Sequence, residues 1–404
     1  MSSGCVGSGG TGDPNWEDNL RSILRARILQ SKSNKERISK RVYVVATDGT
    51  ATKDTFLDLW QNTDPNDVQF IADEVHNLGT TGGQKLFKLP CERRIGLSAT
   101  YVRQWDPVGT QALESFFGGV VFTYTIADGI RDGYLCHYQV HHTFVELTDP
   151  EWSNYHDLTR TIGRYFKMKE QALKKKEFDR AEQYGHKQTE LKQERADIIK
   201  AAANKTPGFE GIIKNLPHDQ KTIVFCTDTP QLEDCSTVLD NNSKRYRKYS
   251  TVGGFSQQQL QGALDSFESG DAQFLVGIGC LDEGLDVKSC TTCVLISSSG
   301  TRRQYVQRRG RMLRQLADNA GIGKVAHLYD LIALPPSIIN GHAWTADELT
   351  DYDKTINALF RHELTRSDII CEAADNKTEI ERDLTRKFAQ FGKTLTQIRG
   401  NNRP

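Results

Sequence analysis

Hydrophobic residues along the chain fall into short apolar runs separated by stretches of helical spacing. Trp16, Leu20, Ile23, Leu24 and Ile28 put an apolar face on a helix over 15–28, with Asp13 or Asn15 as its cap. Val42 to Ala46 then reads as a strand that ends at Thr47-Asp48-Gly49-Thr50, and Phe56, Leu57, Leu59 and Trp60 predict another helix. Next, the apolar run Val68-Gln69-Phe70-Ile71-Ala72 empties directly into Asp73-Glu74-Val75-His76. Such a run predicts a buried parallel strand that delivers acids to the edge of a sheet. Ile95-Gly96-Leu97 leads in the same way into Ser98-Ala99-Thr100. Strand, helix, strand, loop, strand is the rhythm of a doubly wound parallel sheet. Ala127 to Gly133 predicts a short helix, and Tyr138 to Leu147 a strand leading out of this first domain.

Between Glu151 and Lys205 the character changes to a long Lys/Glu/Gln-rich region without proline. Tyr165, Met168, Leu173, Phe178, Tyr184, Leu191 and Ile198 are too sparse there for a core element, which predicts a solvated helical hairpin. Within it Lys174-Lys175-Lys176 reads either as a solvated face or as a phosphate contact. A second α/β unit begins near Lys221, with strands at Thr222–Cys226, Phe274–Ile278, Cys293–Ile296 and Ala326–Leu331. Helices are predicted at Gln231–Leu239 and Gln257–Phe267, and a basic one from Arg302 to Arg314. Pro335-Pro336 closes the unit, and amphipathic helices follow from Ala346 to Phe391. The predicted domains are a partial first α/β domain over 1–147, the hairpin over 148–216, a second α/β domain over 217–336 and a helical extension over 337–404.

Composition narrows the class only a little. The 404 residues allow two or three domains, and 37% hydrophobic with 26% charged residues fits a water-soluble globular chain. Because Lys+Arg equals Asp+Glu, any nucleic-acid contact must come from local basic patches. No apolar run approaches the roughly 18 residues that span a bilayer, and no basic-then-apolar leader opens the chain. The expectation is a cytoplasmic protein with no membrane partner. Nine scattered cysteines, several inside strands, read as reduced core residues. Cys290-Thr-Thr-Cys293 has metal-ligand spacing without a second pair, so it reads as packing.

Two adjacent carboxylates at a strand end suit nucleotide hydrolysis, one holding Mg²⁺ through water and its neighbour orienting the attacking water. Taken alone, Asp73-Glu74 could equally begin a loop. The rest of the chain supplies the context: Asp73-Glu74-Val75-His76, Ser98-Ala99-Thr100, the strand ending at Cys226, then Cys280 to Asp286, then Gln304 to Arg314. In this order the set resembles superfamily-two helicases, from the D-E-x-H motif through S-A-T to the closing Q-x-x-G-R-x-x-R, here Gln307, Gly310, Arg311 and Arg314. The resemblance covers roughly residues 40 to 335.

It implies two RecA-like parallel-sheet domains, the first incomplete, with ATP in the cleft between them and a nucleic-acid strand crossing both. By that similarity Asp73 coordinates Mg²⁺, Glu74 is the catalytic base, and His76 couples the site to the second domain. Ser98, Ala99 and Thr100 relay nucleotide state, and Arg311 and Arg314 are the arginine fingers. Gln307, Gly310, Gly284 and Asp286 contact or sense the nucleotide. Thr47, Gly49 and Thr50 fit a loop on the nucleic-acid backbone, or only a turn. The implied cofactors are ATP and Mg²⁺, and the partner is nucleic acid, with DNA favoured over RNA in a repair or restriction setting.

The pattern departs from the family at its front. A phosphate-binding P-loop needs Gly-Lys-Ser/Thr opening a helix after a strand, but the glycine-rich start, Gly4 to Gly12, runs into Asp13-Pro14-Asn15. It reads as a flexible loop with no strand before it, and the first lysine is Lys32. The P-loop strand, its helix and the next strand are therefore expected to be missing, and a separate chain could supply them. Without that cradle the β- and γ-phosphates lose their backbone donors and their lysine, so the chain alone is expected to hydrolyse ATP poorly. Two functional classes remain, a helicase or translocase and a non-catalytic helicase-derived binding module. A nuclease built on Asp73-Glu74 would need more carboxylates than the sequence gathers there.

Overall fold

A computed structural model describes the chain except residues 1–3, 7–14, 32–41, 104–105, 218–219, 251–253, 279–286, 288–289, 298–312, 314–324, 338–345 and 401–404. The chain forms two compact units, Met1–Thr123 and Tyr124–Pro404.

In the first unit two pairs of parallel strands are described. Strand β1 (Gly4–Val6) pairs with β2 (Val44–Ala46), and β3 (Gln69–Ala72) pairs with β4 (Arg93–Gly96), Ala72 lying beside Gly96. Helix α1 (Trp16–Ser31) follows β1 and buries Leu20 and Leu24, as the helical spacing of its apolar residues predicts. Strand β1 corrects one point of the sequence reading, which places no strand before the loop that leads into α1. A three-residue strand with glycine at one end has too little hydrophobic pattern to register in sequence. Helices α2 (Asp48–Ala51), α3 (Asp54–Trp60) and α4 (Pro107–Phe117) complete the unit. Its core gathers Leu20, Phe56, Ala72, Val75, Leu78 and Leu113.

The second unit opens with helix α5 (Ile126–Arg131) and strand β5 (His137–Glu146). The sequence reading assigns that strand to the first domain, ending at 147. It instead pairs along its whole length with β10 (Val325–Leu334), so the boundary between the units falls at Thr123, ahead of it. The sheet also contains β6 (Thr222–Cys226), β7 (Tyr246–Ser250), β8 (Phe274–Ile278) and β9 (Thr292–Leu295). Its order is β5-β10-β9-β6-β8-β7, and every pairing is parallel.

Strand β6 shows why a continuous apolar run marks a central parallel strand. Ile223 and Phe225 enter one buried cluster, while Val224 and Cys226 enter the other, on the opposite face. Helices α8 (Lys205–Asn215) and α9 (Thr229–Asn241) pack on the Val224 face. Helix α10 (Gln257–Ser269) packs on the other face with α11 (Ala346–Ile370), α12 (Lys377–Ala389) and α13 (Leu395–Arg399). The C-terminal helices are thus core members of this unit. Leu359, Phe360, Leu364, Leu384 and Phe388 are buried, and the Phe360 and Phe388 rings stack 3.9 Å apart.

Between β5 and α8 stands the expected hairpin, α6 (Asp149–Lys174) and α7 (Phe178–Lys200). A capping box of Thr148 and Glu151 starts α6. Among the described residues, seven cysteines, Cys290 and Cys293 included, are buried and unbridged.

Candidate nucleotide-hydrolysis site

The site is built where β3 and β4 end side by side. Leu97 N–H donates to Ala72 carbonyl at 2.8 Å, and Val75 N–H donates to Leu97 carbonyl at 2.9 Å. These two bonds bring Asp73-Glu74-Val75-His76 against Ser98-Ala99-Thr100. Asp73 is exposed, and its Oδ1 accepts from Glu74 N–H at 2.9 Å. Glu74 sits in the left-handed region, φ 45° and ψ 47°, a conformation that few non-glycine residues adopt.

That turn sends the Glu74 carboxylate back toward His76. His76 is buried, and its Nδ1 lies 3.3 Å from Glu74 Oε2 and 3.1 Å from Ser98 Oγ. Ser98 Oγ in turn accepts from Thr100 N–H at 3.2 Å. Thus Glu74, His76, Ser98 and Thr100 form one connected polar path in the first unit, whereas Ala99 is exposed and contributes only spacing.

A residue not singled out from sequence completes the support. The Arg103 guanidinium donates to the His76 carbonyl, and its Nε donates to Asp106 Oδ2 at 2.8 Å. Asp106 also caps α4 through Gly109 N–H at 2.8 Å, with Pro107 opening the helix. Arg103 and this cap hold the Asp106 carboxyl below the usual range. Gly79 makes room for the arrangement, since a Cβ there would collide with the Arg103 side chain. The signal available in sequence was the Asp-Pro cap three residues beyond Arg103.

Other predicted positions are placed apart from this path. Thr47 is exposed at the N-cap position of α2 without a side-chain capping bond, and Gly49 is exposed with open space around it. Thr50 is fully buried, its hydroxyl 3.3 Å from that of Thr47, so it supports the loop and does not present itself to a ligand. Gly284, Asp286, Gln307, Gly310, Arg311 and Arg314 lie outside the described residues. The glycines from Gly7 to Gly12 also lie outside them, although β1 and α1 flank that stretch.

The fold family implies Mg²⁺. Asp73 offers one exposed carboxylate, which suits that ion only alongside water and phosphate oxygens. Among the described residues no cluster of three or more His, Cys, Asp or Glu side chains could hold a metal by itself. None of the described helices is long and apolar enough to cross a membrane.

With this geometry in place, residues 208–315 match the helicase conserved C-terminal domain. That match falls within the second unit. Over 255 residues it is 25% identical to the DNA 3'-5' translocase XPB2 of Sulfurisphaera tokodaii, covering 61% of this chain and 55% of that protein. Over 231 residues it is 26% identical to the type I restriction enzyme EcoAI endonuclease subunit of Escherichia coli, covering 55% of this chain and 26% of that one. Among solved structures, the ATP-dependent Type ISP restriction-modification enzyme LlaBIII bound to DNA aligns with a TM-score of 0.50 at 14% identity. That match covers 90% of this chain and 24% of the other, and at this identity it speaks to fold alone. The chain spans about half the length of the XPB2 relative and about a quarter of the restriction subunit.

Proposed function

We propose that the chain acts as a nucleic-acid motor module of the DNA repair or restriction type, with weak ATP turnover on its own. The observation that carries the reading is the path from Glu74 through His76 to Ser98 and Thr100, which joins the two-acid strand end to the neighbouring loop. In this reading Asp73 holds Mg²⁺ and Glu74 draws a proton from the attacking water. His76, Ser98 and Thr100 pass the nucleotide's state onward. Arg311 and Arg314 supply positive charge to the γ-phosphate, with Gln307, Gly310, Gly284 and Asp286 around the nucleotide. Thr47 and Gly49 meet the nucleic-acid backbone, and the buried Thr50 shapes their loop.

Weak turnover follows from the front of the first unit. Gly7 and Gly12 have the G-x-x-x-x-G spacing of a phosphate loop, and a strand and a helix flank the run. Where lysine and a hydroxyl residue would follow stand Asp13 and Pro14. An anion there repels phosphates that a lysine would neutralise. A second chain supplying a working phosphate loop would restore turnover. The same substitution favours a second reading, a helicase-derived module that binds nucleic acid without hydrolysis.

The test measures ATP hydrolysis and single-stranded DNA binding by the purified chain. The proposal expects DNA binding with little stimulated hydrolysis. A rate that rises with single-stranded DNA and vanishes in Glu74→Gln overturns the weak-turnover reading, and absence of any nucleic-acid binding overturns the motor reading.

A further inference from the structure

The tip of the α6–α7 hairpin is the part of the molecule whose chemistry the motor reading leaves unused. Its turn reads Leu173-Lys174-Lys175-Lys176-Glu177-Phe178, three cations beside one anion. The anion is engaged elsewhere, since Arg180 donates to Glu177 Oε2 at 3.0 Å. Lys174, Lys175 and Lys176 are all exposed.

Exposed apolar side chains stand near this charge along the two helices. Phe178 is 66% exposed, Phe166 50% and Leu173 46%. Phe166 and Leu173 stand seven residues apart, on one stripe of α6. The hairpin does not need these side chains to hold together. Buried Ala172 and Ala181 and the Tyr165–Tyr184 ring contact at 6.1 Å close it from within.

The turn itself carries a second mark. Lys176 N–H donates to Leu173 carbonyl at 3.0 Å and Glu177 N–H to Ala172 carbonyl at 2.9 Å, closing the end of α6. In that closure Lys176 takes φ 60°, the position where helices usually place glycine. A lysine there carries a backbone conformation that is costly for a non-glycine residue.

We propose that this tip is a second nucleic-acid contact, in which Lys174, Lys175 and Lys176 meet phosphates of a single strand and Phe178 stacks on an unpaired base. Cations beside an exposed aromatic ring are the two components of single-strand binding. The inference rests on the nucleic-acid reading above but names a surface separate from the strand-end acids.

The test uses the full chain and a fluorescent oligo(dT) without ATP, titrated across salt concentration. In the variant Lys174→Ala/Lys175→Ala/Lys176→Gly, the slope of log K against log salt should flatten by about 2, from roughly 0.7 per lost phosphate contact on a single strand. Phe178→Ala should weaken binding at least about fivefold with the slope unchanged. Lys176→Gly alone should lower affinity while the melting temperature holds or rises, a pairing that a purely structural lysine would not give. Equal affinity and slope in wild type and the tip variants, at equal melting temperature, overturns the tip contact alone. Failure of the wild type to bind the oligonucleotide defeats the motor reading as well. Loss of phosphatidylserine-vesicle binding in the lysine variant, with oligonucleotide binding intact, would assign the tip to a membrane surface and overturn the proposal.

Discussion

His76 Nδ1 lies 3.1 Å from Ser98 Oγ, and this bond ties the loop after β3 to the loop after β4. Because His76 is buried, removing the serine hydroxyl leaves part of its hydrogen-bonding capacity unmet in a place water does not reach readily. Ser98→Ala should therefore destabilise the first unit by about 1–2 kcal/mol. Chemical denaturation followed by Trp16 and Trp60 fluorescence reads this directly. An unchanged midpoint would mean the two loops are held together by their backbone bonds alone.

Acid should act on the second unit through two groups, His142 and the buried Asp330, with opposite signs. Burial, helped by nearby Arg366, pushes His142 down to about 3, whereas burial pushes Asp330 up to about 6 against the pull of Arg366. For His142 the folded value lies below the unfolded one. Its contribution is complete above about pH 6.5 and is lost as the pH falls toward 3, by about 2 kcal/mol at pH 5. For Asp330 the folded value is the higher one, so its stabilising effect grows as pH falls through 6 and is absent at higher pH. His142→Gln should gain on wild type by about 2 kcal/mol between pH 7 and 5, and Asp330→Asn should lose ground by about 1 kcal/mol over the same interval. Urea midpoints at the two pH values separate the slopes, and parallel shifts in both variants would defeat the assignment.

Those two residues also mark where sequence reading reached its limit. Strands β6 and β8 were legible to the residue, because strands buried on both faces are continuous apolar runs. Strand β7 was not, since an edge strand carrying Arg247 and Lys248 has no apolar alternation to detect. Asp73, Glu74, His76 and Ser98 were legible as a set, and the structure brings them together. What sequence could not convey is long-range placement. Asp330 on β10, Glu363 and Arg366 on α11 and Lys205 on α8 form a buried ionic group, with Arg366 donating to Glu363 at 2.6 Å and standing 3.3 Å from Asp330. Burial alone would raise the Glu363 carboxyl, but Arg366, with His362 and Lys205, outweighs it and holds Glu363 at about 2. Burial takes Lys205 down to about 8. No local pattern foretells four charges meeting from three elements, β10, α8 and α11.

The glycine run offers a gain-of-function test. Asp13→Lys with Pro14→Thr writes Gly-Lys-Thr starting at Gly12, in a segment that β1 precedes and α1 follows. If the run occupies the place of a phosphate loop, the double variant should bind a fluorescent ATP analogue at least about tenfold more tightly than wild type, the effect of about 1.4 kcal/mol from exchanging an anion for a cation beside phosphates. Equal weak binding by both proteins would remove the run from any nucleotide site.

Glu74 supplies the sharpest local test, because its backbone and its side chain serve different ends. The left-handed conformation at φ 45° costs a non-glycine residue about 1 kcal/mol, and here it turns the carboxylate toward His76. Glu74→Ala and Glu74→Gly both lose that carboxylate, but only glycine is relieved of the backbone strain. Glycine also adds freedom to the unfolded chain, which offsets part of the relief. The glycine variant should therefore be at least as stable as the alanine variant, by up to about 1 kcal/mol, while both lose whatever hydrolysis the chain has. Differential scanning calorimetry of the two variants decides it. A more stable alanine variant would show that the turn at Glu74 relaxes once its carboxylate is gone, and hence that the approach of that carboxylate to His76, and not the packing of β3 and β4, sets the geometry of the strand end.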